Sequence, residues 1–184
     1  FIETEQLTLE AEQNGDGARF AAILVFAFIV RVVCSLVFYG HPTDINCFMA
    51  WGYHLNEGGL AAFYNSGMFA DYPPGYMYVL YITSGIAKLL GLSYASAAYA
   101  LITKMPGILA DIVSAYVVYR LAKKLAKSGC RDAARWGRLP LVLAAVVAIS
   151  PLFAFLSGGW GQIVQVVALM LLSGPLGIPQ EQLS

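Results

Sequence analysis

Residues 41–76 read HPTDINCFMAWGYHLNEGGLAAFYNSGMFADYPPGY and form a polar interruption in a very hydrophobic chain. This stretch carries three of the 11 acidic residues, both histidines and a dense set of aromatic, glycine and proline residues. Hydrophobic segments lie on both sides of it. The pattern predicts that spanning helices hold a polar loop at a membrane surface, and we expect any chemistry to occur in this loop.

The composition of the 184-residue chain, 59% hydrophobic and 12% charged with a formal net charge of zero, limits the class of protein. Several apolar runs approach the roughly 20 residues that cross a bilayer, which predicts an integral membrane protein in contact with lipids. The balanced charge offers no basic surface for nucleic acid. Cys34, Cys47 and Cys130 lack Cys-x-x-Cys spacing, and His41 and His54 lack metal-ligand spacing, so both histidines are interpreted as surface residues. The chain has no Asp-x-Asp motif, so the sequence does not support a divalent cation and no cofactor is expected.

The hydrophobic pattern predicts an all-α protein, a polytopic bundle of transmembrane helices with a long outer loop at 40–97. Residues 1–19 are expected to form a polar tail, with Asn-Gly-Asp-Gly at 14–17 as a helix breaker. Residues 174–184 are expected to be a truncated tail. The predicted spans are 20–39, 98–119, 139–156 and a partial span at 160–173.

Two amphipathic helices are predicted within the outer loop, both lying along the membrane surface. Asp44 can cap a helix that begins at Ile45 and ends at Gly58-Gly59. Pro73-Pro74 starts the second helix, at about 75–90, because proline fits the first helical turn. With about 16 residues, this second helix is short for a span and is expected to lie in the outer interface.

A basic segment sets the expected orientation of the helices. Residues 120–138 contain seven Lys or Arg residues against one acid, and the positive-inside rule assigns such a segment to the cytoplasm. If the helix at 75–90 does not cross, the loop 41–97 and the turn near 160 share the outer face. We therefore expect a multi-pass protein of a bacterial plasma membrane with both polar stretches outside.

Five motifs occur in an order that resembles GT-C membrane glycosyltransferases. They are PTDINCFMAW, LNEGGLAAFY, DYPPGYMYVLY, KMPGILADIVSAYVVYRLAKK and ISPLFAFLSGGWGQ. The chain looks most like the bacterial mannosyltransferase-like branch and its eukaryotic relatives that glucosylate lipid-linked oligosaccharides from dolichyl-phosphate glucose. The resemblance implies that residues 20–173 are the N-terminal part of a transmembrane module whose first outer loop has two juxtamembrane helices.

The same resemblance implies an inverting hexosyltransferase. Its donor is a polyprenyl-phosphate-linked sugar, and its acceptor is a sugar, a lipid or a protein at the outer membrane face. Relatives usually continue Trp-Gly-Gln with an acid and a serine, where this chain has Ile163, Val164 and Gln165. Relatives also run to several hundred residues, so this chain is expected to be incomplete and inactive by itself.

The resemblance assigns the general base to Asp44. Inverting transfer needs one ionised carboxylate within about 3 Å of the acceptor hydroxyl, whereas the leaving phosphate needs cations or hydrogen-bond donors instead of an acid. The alternative role of Asp44 is a helix cap. Substrate binding is predicted for Asp71, Tyr72, Lys104, Trp160 and Gln162. Their alternative roles are turn residue for Asp71, interface anchor for Tyr72 and Trp160, and polar helix start for Gln162.

Two charges within the predicted spans are expected to pair. Arg31 lies about 13 Å down its helix from the outer end and Asp111 about 17–20 Å down its own, so a modest tilt brings them together. This pair is interpreted as structural, although a lone snorkelling arginine is the alternative. Lys104, about 10 Å along the same helix face from Asp111, is expected near the outer surface, where it can meet the donor phosphate.

A second class of function remains open from the sequence. A non-catalytic polytopic membrane module, such as a transporter fragment or a scaffold, has the same hydrophobic pattern. A transporter is expected to show paired broken helices or an inverted repeat, and the sequence contains no convincing repeat.

Overall fold

The structure, a computed structural model, describes residues 2–127, 137–161, 166, 168 and 169. Their regular secondary structure is helical with no strand among them, which confirms the prediction of an all-α protein for this part of the chain. The helices are α1 (Ile2–Val37), α2 (Pro42–Gly58), α3 (Leu60–Phe63), α4 (Pro74–Leu89), α5 (Ala97–Lys127), α6 (Leu139–Ile149) and α7 (Pro151–Ala154). A 3₁₀ turn (Tyr64–Ser66) follows α3, and a π-helical turn (Phe155–Trp160) follows α7.

Three stretches within the described residues are long and apolar enough to cross a membrane: Gly15–Val37, Ala97–Ala126 and Leu139–Trp160. Each overlaps a predicted span, and their length and composition are those of a membrane protein. Buried positions make up 50% of the most apolar segment of α5, against 22% of the corresponding segment in each of the other two stretches, so α5 is the central helix. The predicted partial span at 160–173 and the tail at 174–184 lie almost entirely outside the described residues.

The expected helix break at 14–17 is wrong, because α1 runs without interruption from Ile2 through this segment. A glycine inside a helix costs about 1 kcal/mol relative to alanine but keeps its backbone N–H, so Gly15 and Gly17 weaken the helix without ending it. Arg19 Nη1 lies 3.3 Å from Asp16 Oδ1, and this pair connects the segment of the predicted break to the next helical turn.

Proline in the first turn marks the start of four helices: Pro42 in α2, Pro74 in α4, Pro140 in α6 and Pro151 in α7. The first-turn N–H has no acceptor within its own helix, so proline loses nothing there. The predicted start of α2 at Ile45 is therefore wrong by one turn. His41 occupies the N-cap position, and Asp44 lies in the first turn instead.

The three helices that are long and apolar enough to cross a membrane pack through small residues. Ala27 of α1, Ala115 of α5 and Ala148 of α6 form one buried cluster, which lets the helix backbones approach closely. Phe20 of α1 stacks on Tyr119 of α5 with ring centroids 4.2 Å apart. The beginning of the first span therefore lies beside the end of the second.

The helices α2 and α4 form a second packing unit beside α5. Their shared core is the buried cluster Phe48, Trp51, Leu55, Phe63, Tyr76, Met77 and Leu80. Ile45 and Met49 of α2 pack with Ala87 of α4 and with Tyr99 and Ala100 of α5. This second cluster fixes the first turn of α2, which carries Asp44, against α5.

The third spanning stretch is interrupted earlier than predicted, at Ser150, whose backbone is extended (φ −52°, ψ 119°). The proline ring disfavours the helical conformation of the residue before it, so Ser150 ends α6 and Pro151 begins α7. The π-helical turn that follows ends at Gly161, in the left-handed conformation with φ 90°. The break redirects the chain and brings Trp160 to the first turn of α2.

Candidate functional site

The candidate site lies where the connection from α1 to α2 meets the end of the π-helical turn. The backbone N–H of His41 donates to the carbonyl oxygen of Trp160 at 3.2 Å. Gly40 has φ +114°, and a Cβ atom there would lie 2.9 Å from the same carbonyl oxygen. Because no larger residue fits this close approach, glycine is required for the connection to lie against the turn.

Asp44 is held by the end of the π-helical turn. Its Oδ2 atom accepts a hydrogen bond from the indole Nε1 of Trp160 at 2.9 Å. The carboxylate lies in the first turn of α2, where the helix dipole favours negative charge. The side chain is 28% exposed, so the carboxylate is oriented by protein contacts and still open to a ligand.

His41 faces the other carboxylate oxygen, a contact that the sequence interpretation of a plain surface residue missed. Its Nδ1 atom lies 3.6 Å from Asp44 Oδ1. The imidazole is stacked on the indole of Trp160, with ring centroids 5.1 Å apart and planes within 9°. The available signal was the spacing of His41 and Asp44, one turn apart across a proline that starts a helix.

A cleft of about 380 Å³ adjoins this trio. The cleft is within the size range of sites for small ligands. Its lining includes the apolar side chains of Val37, Phe38 and Phe155, together with Tyr39 and with the polar rings of His41 and Trp160. Asp44 contacts both of these polar side chains and therefore lies beside the cleft.

Asp71 and Tyr72 lie on the same side of α2 as Asp44. Trp51 Nε1 donates to the carbonyl oxygen of Phe69 at 2.9 Å, which ties the segment before Asp71 to α2. Burial, followed by the charges of Asp44 and Asp71, raises the pKa of the Tyr72 phenol. Burial and the same two carboxylates raise the pKa of the Cys47 thiol. Both carboxylates are therefore close enough to Cys47 and Tyr72 to influence them electrostatically.

Tyr72 packs edge-on against Phe48, with ring centroids 5.1 Å apart, and is half-buried. Asp71 is exposed. The structure thus leaves Asp71 available to a ligand, whereas Tyr72 is partly occupied in the aromatic core of α2 and α4.

Lys104 is buried, in contrast to its expected place near the surface. It is 2% exposed, and its Nζ atom donates to the carbonyl oxygens of Phe38 at 2.7 Å and Gly158 at 3.1 Å. These carbonyls lie just after α1 and within the π-helical turn, where the regular series of backbone N–H donors is interrupted. Lys104 therefore joins the two segments that form the site, and a phosphate at the surface does not reach its Nζ atom directly.

Arg31 and Asp111 form a buried ion pair between α1 and α5. Arg31 Nε donates to Asp111 Oδ2 at 2.9 Å, and the two side chains are 1% and 4% exposed. Ser157, which the sequence analysis did not single out, donates to the same oxygen at 2.6 Å. Arg31 Nη1 donates at 2.7 Å to the carbonyl oxygen of Ala148, which lies at the end of α6 next to the break at Ser150.

The structure therefore brings together Asp44, Trp160 and His41 at one point, with Asp71 and Tyr72 nearby. It separates from them the ion pair of Arg31 and Asp111, which lies within the bundle. Gln162 lies outside the described residues. Across residues 2–127 and 137–161, no group of three His, Cys, Asp or Glu side chains is arranged to hold a metal ion.

Comparisons of this chain with protein-family models, with curated proteins and with solved structures gave no match.

Proposed function

We propose that the protein is a membrane glycosyltransferase that transfers a hexose from a polyprenyl-phosphate-linked donor to an acceptor hydroxyl, with inversion at the anomeric carbon. The observation that carries this proposal is the Asp44 carboxylate, held at 2.9 Å by Trp160 beside an apolar cleft. The order of the five sequence motifs, which resembles GT-C enzymes, supports the same reaction.

Asp44 is the general base in this proposal. Its carboxylate takes the proton of the acceptor hydroxyl as that oxygen bonds to the anomeric carbon and the bond to the lipid phosphate breaks. The leaving phosphate is a stable anion and needs no proton. One carboxylate is therefore enough, in contrast to the two that glycoside hydrolysis uses.

The cleft beside Asp44 has the chemistry expected for the donor. Its apolar wall, from Val37, Phe38 and Phe155, suits the first isoprene units of the lipid. Lys104 is buried behind Gly40, with Cε 3.3 Å from the position of a Cβ atom there, so it acts on the phosphate only through space. Asp71, Tyr72 and Gln162 are proposed to contact hydroxyl groups of the sugar or the acceptor.

The proposed topology has the site on the outer face of a bacterial plasma membrane. Phe20 stacks on Tyr119, so Arg19 and Arg120 lie at the same end of the bundle. The positive-inside rule assigns that end to the cytoplasm and residues 38–97 to the outside. The 16 residues of α4 amount to about 24 Å of helix, short of the roughly 30 Å hydrocarbon core, so α2 and α4 are proposed to lie along the outer surface.

The proposal is tested by the variant Asp44→Asn, in protein expressed from its complete reading frame and reconstituted in liposomes. Transfer is measured from polyprenyl-phosphate mannose, glucose and galactose, and NMR of the product gives the anomeric configuration. We expect kcat to fall by about 10²- to 10⁴-fold, because the base is lost while asparagine still accepts the hydrogen bond from Trp160.

The matched control is Glu57→Gln, which neutralises an exposed acid of the same loop that pairs with Lys88. This control is expected to keep the kcat of the wild type. Full activity of the Asp44→Asn variant would remove Asp44 as the base. No transfer from any of the three donors by the wild type would favour a non-catalytic membrane module instead.

A further inference from the structure

We propose that His41 is a positioning residue for Asp44: its Nδ1–H binds one carboxylate oxygen while Trp160 binds the other, so that the base is clamped from two sides. This inference rests on the proposed function, because it assigns Asp44 the role of the base. Its basis is the geometry around one buried nitrogen atom.

One edge of the His41 ring, the one that carries Nδ1, is buried. The Nδ1 atom is buried and has no hydrogen-bond partner within the described residues, although the side chain as a whole is 42% exposed. The exposed area therefore belongs to other atoms of the side chain, and the Nδ1 edge is turned into the protein. A buried imidazole nitrogen without a partner is costly, so a partner is expected in the working state.

The nearest charged acceptor given by the structure is Asp44 Oδ1, 3.6 Å from Nδ1. Shortening this distance by about 0.7 Å produces an ordinary hydrogen bond of about 2.9 Å. Hydrogen bonds at catalytic groups are often long without substrate and tighten when it binds. We expect the distance from His41 Nδ1 to Asp44 Oδ1 to shorten in the same way when the lipid-linked sugar binds in the adjoining cleft, which His41 itself lines.

The second observation is that His41 has little freedom to turn away. Its ring is stacked on Trp160, and its backbone N–H is bound to the carbonyl oxygen of the same residue. Trp160 in turn donates its indole N–H to Asp44 Oδ2. The three side chains thus form a closed triangle in which each one limits the movement of the other two.

Two polar side chains near the triangle, Lys104 and Tyr39, already have hydrogen-bond partners. Lys104 lies beside Gly40 on the α5 side, but its Nζ atom donates to the carbonyl oxygens of Phe38 and Gly158. Tyr39, the other polar side chain of the connection, donates its hydroxyl to Asn46 Oδ1 at 3.1 Å. Of these three neighbours, His41 is the one whose ring nitrogen faces Asp44 Oδ1.

A clamp of this kind affects the rate more than substrate affinity. The carboxylate must point one lone pair at the acceptor hydroxyl, and a misplacement of about 1 Å can cost on the order of 10²-fold in rate. We therefore expect loss of the His41 N–H group to lower kcat by about 10- to 100-fold, with the KM for the polyprenyl-phosphate sugar nearly unchanged.

Two substitutions separate hydrogen bonding from stacking. In His41→Asn, the amide nitrogen takes the place of Nδ1 and keeps a donor for Asp44, while the aromatic stack is lost. In His41→Phe, the stack on Trp160 is kept and the donor is lost. We expect His41→Asn to retain most of the kcat and His41→Phe to show the full loss. The control is His54→Ala, which removes the other histidine and is expected to leave kcat unchanged.

A second readout does not depend on sugar transfer. Infrared difference spectra of each protein against its Asp44→Asn variant isolate the carboxylate stretch of Asp44, whose frequency depends on the hydrogen bonds to both oxygens. We expect this band to shift in His41→Phe and to stay near the wild-type position in His41→Asn.

The outcomes distinguish the two proposals. Transfer by the wild type, with kcat and band position unchanged in His41→Phe, would overturn the role of His41 and leave the proposed function intact. Loss in His41→Asn equal to that in His41→Phe, with the band shifted in both, would make stacking the important contact and also overturn it. No transfer by the wild type, with the band shifted in His41→Phe alone, would overturn the proposed glycosyltransferase function and support the hydrogen bond from His41 to Asp44.

Discussion

Removal of the Asp111 carboxylate is expected to destabilise the bundle more than any surface change. In the variant Asp111→Ala, Arg31 Nε and Ser157 Oγ lose a shared acceptor at 2.9 Å and 2.6 Å. Arg31 Nη2 already has no partner among the described residues, so the buried guanidinium is left with two unpartnered nitrogen atoms.

The magnitude follows from charge and burial. Two unit charges 2.9 Å apart attract by about 6 kcal/mol at an effective dielectric constant of about 20, before the cost of desolvation is subtracted. Removing one partner of a buried pair typically costs about 3–5 kcal/mol, because the other charge stays buried. We expect a loss of that size in the free energy of unfolding.

The assay is unfolding in mixed detergent micelles, followed by circular dichroism. The matched control is Lys88→Ala, because Lys88 and Glu57 also lie 2.9 Å apart but are 62% and 52% exposed. Exposed pairs contribute little, so this variant is expected to unfold like the wild type. The double variant Arg31→Met with Asp111→Leu removes both charges and should lose less than Asp111→Ala alone. Equal stability of the Asp111→Ala and Lys88→Ala variants would refute the reasoning.

Three further predictions concern the site. Gly40→Ala is expected to cost about 1–3 kcal/mol in unfolding, because φ is +114° and the new Cβ atom lies 2.9 Å from the Trp160 carbonyl oxygen; unchanged stability would contradict the close approach. Lys104→Met leaves one buried and one partly buried backbone carbonyl oxygen without their lysine donor. We expect the free energy of unfolding to fall by about 1–3 kcal/mol for each, measured in the same assay; a stability equal to that of the wild type would show that these hydrogen bonds do not contribute. Burial and two carboxylates raise the pKa of Cys47, so less thiolate is present at about pH 8 than in a free cysteine, and its alkylation rate should keep increasing at higher pH. With the other two cysteines replaced by serine, Asp71→Asn should speed this alkylation, and an unchanged rate would mean that Asp71 does not act on Cys47.

Much of the fold can be predicted from the sequence because its signals are local. Hydropathy and length mark the three stretches able to cross a membrane, and the first-turn proline Pro74 marks the start of α4. The break expected at 14–17 fails because glycine lowers helix stability without removing a hydrogen bond, so propensity alone does not end α1. The start of α2 is missed by one turn because Asp is a preferred N-cap residue, whereas Asp44 lies in the first turn and His41 takes the N-cap position before Pro42.

The candidate site is predictable only in part. The sequence singles out Asp44 and Trp160 separately, and the structure joins them through a hydrogen bond across 116 positions of the chain. His41 is overlooked because a lone histidine next to a hydrophobic segment has no distinctive spacing except its distance of one turn from Asp44. Lys104 is assigned to the surface from its position in the helix, whereas packing turns it toward two carbonyl oxygens inside the protein.

The sequence by itself determines that this is a helical chain with three stretches able to cross a membrane, since hydrophobicity and helix periodicity act over neighbouring residues. It also favours a partner for a charge deep within those stretches, because a lone charge in a hydrocarbon interior is costly; Arg31 and Asp111 are predicted to pair and lie 2.9 Å apart. Only the tertiary structure decides that the break at Ser150 brings Trp160 over the first turn of α2. The position of the Asp44 carboxylate beside the rings of Trp160 and His41 depends on how distant helices pack, and no local pattern of residues encodes that packing.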